Sequence, residues 1–196
     1  MGGKIILKMS VLAAMSILIC SCLSENQLKE IVSQRYHITI DYDQSIEELI
    51  KAGRYYRAYS EITSGKFPTN ETGTRGLMVT LVRLDGNSTI QQVLAAQAKN
   101  GLRPASIREL LTFGKGYAEI LNKVSIVAFG SYRKYYVTSY LRFGTDPKYI
   151  DEVKTLERFF PYLVVDLFGR AALLIQEDLI PSYDPSGFHA CFVTEE

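Results

Sequence analysis

Residues 86–114, GNSTIQQVLAAQAKNGLRPASIRELLTFG, decide how the rest of the chain can fold. Two capping boxes divide the stretch. Ser88 stands three residues before Gln91, and Ser106 three before Glu109. In each pair the hydroxyl can accept from the third amide of a helix while the longer side chain returns to the cap amide. Asn100-Gly101 supplies a residue able to take positive φ after the first helix, and Pro104 keeps Arg103 out of helical geometry. Apolar residues recur at helical spacing, at Ile90, Val93, Leu94 and Ala98, then at Ile107, Leu110, Leu111 and Phe113. Each helix therefore has one face to bury, and a sheet is the natural surface for it.

Strand patterns lie on both sides of this pair. Upstream, Tyr36–Tyr42 alternates apolar and polar residues, Ser45 and Glu48 open a helix that Gly53 can end, and Leu77–Leu84 forms a strong strand. Residues 69–76 are polar and glycine-spaced, as in a loop. Downstream, Val124–Phe129 suits a strand covered on both faces, and Tyr135–Phe143 alternates. Residues 144–157 are polar and predict a loop or short helix. Tyr162–Ile175 predicts two strands around Gly169-Arg170, residues 176–187 a surface loop, and Phe188–Val193 a closing strand. The expectation is an α+β fold, a mixed or antiparallel sheet with a capping helix pair.

The N-terminus has the layout of an export signal. Lys4 and Lys8 precede an apolar run from Met9 to Ile19, which ends at Cys20, Ser21 and Cys22. The run is shorter than the roughly 20 residues of a spanning helix. Ile19-Cys20-Ser21-Cys22 resembles a bacterial lipobox, with an aliphatic residue at minus three and a small one at minus one, and makes Cys22 the lipid acceptor. Ordinary secretion, or a retained apolar N-terminus, stays open beside it. The expected organisation is a lipoprotein-type signal peptide over 1–22, a tether over 23–35, a strand-helix-strand unit over 36–85 and a main domain over 86–196. Ser24–Gln34 carries a further capping pair and a narrow apolar stripe.

Charge and cysteine usage narrow the function. The 22 basic residues against 21 acidic ones become a net charge of −1 once Lys4 and Lys8 leave with the signal. Such a surface gains little from a phosphate backbone, so nucleic acid is not the expected partner. With Cys22 acylated, Cys191 is the one thiol left and no internal disulfide forms. Arg54 and Arg57 beside Tyr55, Tyr56 and Tyr59 could stack on bases, but the simpler reading has the tyrosines covering a core edge.

No phosphate loop, dinucleotide motif, EF-hand or metal-spaced cluster is present, so neither a cofactor nor a metal is expected. His189 and Cys191, two apart on a strand, share a face and are the one juxtaposed base and nucleophile. They define the alternative, an exported hydrolase or thiol enzyme. The leading reading is a non-enzymatic envelope module with a protein or glycan partner. Its candidate contact residues are Tyr132, Arg133, Tyr136, Tyr140 and Arg142, since tyrosine and arginine favour contact surfaces.

GLRPASIRELLTFG, IVAFGS and YVTSYL, together with YDQSIEELIKAGRY and EITSGKFP upstream, resemble a recurrent family of uncharacterised bacterial proteins to which no activity is assigned. The layout of a helix segment, short strands and a final strand is also similar to C-type-lectin-like domains. The resemblance implies a C-type-lectin-like fold. The chain departs from those domains in having no tryptophan and no calcium–sugar signature.

Overall fold

A computed structural model describes residues 34–84, 88–142, 150–165, 170–177 and 188–195. The chain runs β1 (Arg35–Asp41), α1 (Ile46–Ala52), β2 (Arg57–Ala58), β3 (Thr74–Arg83), α2 (Ile90–Lys99), β4 (Arg103–Pro104), α3 (Ile107–Gly116), α4 (Ala118–Leu121), β5 (Ser125–Val127), β6 (Arg133–Arg142), β7 (Ile150–Val165), β8 (Ala171–Glu177) and β9 (Phe188–Glu195). One nine-stranded sheet gathers them in the order β1-β3-β9-β5-β7-β8-β2, with β4 also on β9 and β6 on β7. The β5–β9 and β2–β8 pairs are parallel and the others antiparallel. The fold is α+β with a mixed sheet.

The last strand lies in the interior of the sheet. Continuous apolarity in β9 follows from burial on both faces: Cys191 and Val193 join one core cluster, Ala190 and Phe192 the other. The same alternation separates Ile126 from Val127 on β5. The larger core lies under α1, α3 and α4, and the smaller one takes Ile90, Val93 and Leu94 of α2.

The two helices of the opening stretch therefore differ in standing. In α3 Ile107, Leu110, Leu111 and Phe113 are buried, as their spacing predicts. Gly114 completes that face, because a Cβ there would lie 2.4 Å from the Tyr55 hydroxyl and 2.6 Å from Leu163 Cδ1. In α2 only Ile90 is buried, and Ala98, expected on the covered face, is exposed. The first capping box also falls one residue later than the sequence suggests. Thr89 Oγ1 accepts from Gln92 N at 3.2 Å, and Gln92 Oε1 accepts from Thr89 N at 2.8 Å. Sliding the cap from Ser88 to Thr89 makes Ile90 the first helical residue, where it reaches the core. The Ser45/Glu48 and Ser106/Glu109 boxes stand as expected. Gly101 takes φ +72°, and Gly53 caps α1 at φ −75°, leaving the positive φ to Arg54.

Three further expectations change. β3 begins at Thr74, inside the predicted loop, because β1 pairs with it from Asp41↔Thr74 onward. Residues 150–157, expected as loop or short helix, are the first half of the 16-residue β7, paired with β6 from Arg142↔Ile150 to Arg133↔Phe159. A two-stranded ribbon satisfies its ladder without an apolar face, so polarity alone does not exclude a strand there. Tyr55 lines the core edge and donates to the Leu111 carbonyl at 3.1 Å, whereas Tyr56 and Tyr59 are 60% and 45% exposed. The two strands read over Tyr162–Ile175 pair antiparallel, with Val165 opposite Ala171, while residues 166–169 between them lie outside the described residues. The signal peptide, Cys20, Cys22, the Ser24 capping pair and most of the 176–187 loop lie outside the described residues.

Candidate functional site

The expected contact surface is built on β6, which leaves the sheet with its partner. Among the described residues, 150–158 of β7 pair with β6 alone, while β8 and β5 join β7 only from Phe159 onward. At the root of this ribbon Tyr132 is 46% exposed, its ring 5.8 Å from that of Phe160. Phe160 stands edge-on to Phe129 at 5.2 Å and lies 5.8 Å from the Arg158 guanidinium. Tyr136, Tyr140 and Arg142 occupy β6 positions opposite Leu156, Glu152 and Ile150. Their even spacing places them on one face of the strand. Arg133 belongs to the other face, and its Nη1 donates to the Lys66 carbonyl at 3.1 Å. The five residues thus share one strand and its preceding turn but not one face.

Polar chemistry gathers instead beneath α3. Glu109 is 1% exposed and accepts from four donors. Arg103 Nη2 reaches its Oε1 at 2.6 Å and Nη1 its Oε2 at 3.0 Å, Ser106 N donates to Oε2 at 2.6 Å, and the Tyr42 hydroxyl donates to Oε1. Burial acts to raise the Glu109 pKa, but the hydrogen bonds from Arg103, Tyr42 and Ser106 prevail and hold it below the ordinary carboxylate value. Tyr42 is pushed up to about 12, first by burial and then by its bond to Glu109. This hub ties together the end of β1, β4 and the first turn of α3. The segment R-P-A-S-I-R-E shows a capping-box glutamate with an arginine six residues upstream, but nothing in the sequence marks Arg103 and Tyr42 as its partners. Arg108, likewise unmarked, is buried beside the hub and donates to the Gln44 and Phe67 carbonyls at 3.4 and 3.1 Å.

His189 and Cys191 do lie two apart on β9, at 1% and 0% exposure. Burial pushes the Cys191 thiol far above its ordinary pKa. A nucleophile must be reached and must ionise, and this position opposes both. Among the described residues, no group of three or more His, Cys, Asp or Glu side chains could hold a metal ion. Among the same residues, no helix is long and apolar enough to cross a membrane.

In comparisons with known proteins, no family model, no curated protein and no solved structure matches this chain.

Proposed function

We propose that the protein is an exported, lipid-anchored envelope module that binds a protein or glycan partner rather than catalysing a reaction. Cys22 is the acylated residue, the tether spans 23–35, and the contact surface is the tyrosine-bearing face of β6. The family resemblance and the C-type-lectin-like likeness belong to this reading, supported by the GLRPASIRELLTFG segment and the strands after it. One observation carries the binding role. The Glu109–Arg103–Tyr42 group beneath α3 is spent on internal bonds, whereas among the described residues tyrosines 56, 59 and 132 are the exposed large hydrophobic residues. Aromatic residues left in water favour contact sites.

The test is adsorption of the full-length protein, in detergent, to isolated envelope material. Replacing Tyr132, Tyr136 and Tyr140 together by Ala is expected to weaken the apparent affinity at least about tenfold, equivalent to about 1.4 kcal/mol. The melting temperature should change little. Undiminished adsorption by a folded triple variant would remove this face from the account.

A further inference from the structure

Arg108 is the second residue of α3 and is 7% exposed. Its two carbonyl partners occupy Nε and one Nη1 proton, leaving donors of the five-donor guanidinium unspent. Neither carbonyl supplies a negative charge. Among the described residues no carboxylate forms an ion pair with it. The acid that acts on it electrostatically is Glu47, whose oxygens already accept from the Ser64 amide at 2.9 Å and the Ser64 hydroxyl at 2.6 Å. A guanidinium this buried, held by two neutral carbonyls and by one acid already bonded to Ser64, is costly to maintain.

The same residue lines a cleft of about 260 Å³ between the loop 67–71, the first turn of α3 and Gly130-Ser131. Ser106 and Ser131 also line it. Each hydroxyl accepts a backbone amide, from Glu109 at 3.4 Å and Ile107 at 3.0 Å, which leaves its own proton available to donate. The start of the helix adds partial positive charge. Glu71, also in the lining, is held by Arg75 at 2.7 Å. One guanidinium with an acid nearby matches a single negative charge better than the double charge of a phosphate. Planar carboxylates suit the guanidinium fork, and paired hydroxyl donors suit a hydroxylated body. The volume lies below that of drug-sized pockets, so the ligand is small.

We propose that this cleft binds a small hydroxylated monocarboxylate of the sugar-acid type, its carboxylate on Arg108 and its hydroxyls at Ser106 and Ser131. The site goes beyond the β6 surface and does not depend on the anchor. The test is calorimetric titration of the full-length protein in detergent with glucuronate, glucose, glucose 6-phosphate and a short oligouronate. Glucuronate should saturate one site, with glucose and glucose 6-phosphate at least about tenfold weaker. Oligouronate binding more tightly than glucuronate assigns the ligand to a polysaccharide. Equal or weaker binding assigns it to the free acid, and either result keeps the site. Arg108→Lys removes the fork and should weaken glucuronate at least about tenfold. Asn70→Asp, at an exposed position lining the cleft, adds a like charge without touching the fold and should weaken it several-fold. It decides the matter if Arg108→Lys does not fold. Absence of saturation, preference for the phosphate, or wild-type affinity in folded Arg108→Lys or in Asn70→Asp overturns the proposal.

Discussion

Glu109 is the residue on which the α3 attachment turns, because four donors converge on one buried carboxylate. Glu109→Gln keeps the volume but removes the charge that Arg103 and Tyr42 face. Arg103 is 43% exposed and partly recovers water, so the expected loss is about 2–4 kcal/mol in a urea titration rather than the full cost of breaking a buried pair. The acid limb gives an independent reading. The Glu109 pKa lies below its ordinary 4.5 in the folded state, so its contribution is complete above that value and fades as pH falls through 4.5 and lower. Stability of the wild type should decline over that range more steeply than that of Glu109→Gln, and parallel curves would refute the assignment. Cys191 offers a second residue-level test. With Cys20 and Cys22 replaced by Ser, the native thiol should resist a disulfide reagent and react only on unfolding, because it is fully buried. Rapid native modification would revive the thiol-enzyme reading.

At the scale of elements, the close approach of α3 to β7 and to Tyr55 requires a glycine at 114. Gly114→Ala forces a Cβ against the Tyr55 hydroxyl and Leu163, with an expected cost of about 1–3 kcal/mol. Gly116→Ala, in the same helix with nothing within 4 Å, should be neutral or stabilising by up to about 1 kcal/mol. Equal melting temperatures for the two variants would contradict the packing described. Elements were legible where local chemistry was strong: three helix starts announced themselves by side-chain pairs, and β1, β5 and β9 by their patterns. The first box slipped by one residue because Ser88 and Thr89 are both competent caps, each followed three positions later by Gln. Residues 150–157 carry no strand pattern because a strand that, among the described residues, pairs with β6 alone needs no apolar alternation.

For the whole molecule, sequence patterns gave the class of fold but not the order of strands. Nothing local tells that the C-terminal strand enters between β3 and β5, since that pairing joins residues more than 60 positions apart, such as Ile126 and His189. The hub was half legible for the same reason: Ser106 and Glu109 are neighbours in sequence, whereas Tyr42 comes from β1's far end, 67 residues away from Glu109. The candidate surface on β6 followed from alternation alone, which placed Tyr136, Tyr140 and Arg142 together and could not foresee Arg133 turning to Lys66. Segments 36–85 and 86–196 contribute strands to a single sheet through the β3–β9 ladder. The module is thus carried as one sheet behind its proposed anchor. Metabolic labelling with a fatty acid in a bacterial host tests the proposed export and acylation. Label should appear on the wild-type protein and be absent from Cys22→Ala; label that survives the substitution, or a wild-type chain that never acquires it, would rule the anchor out.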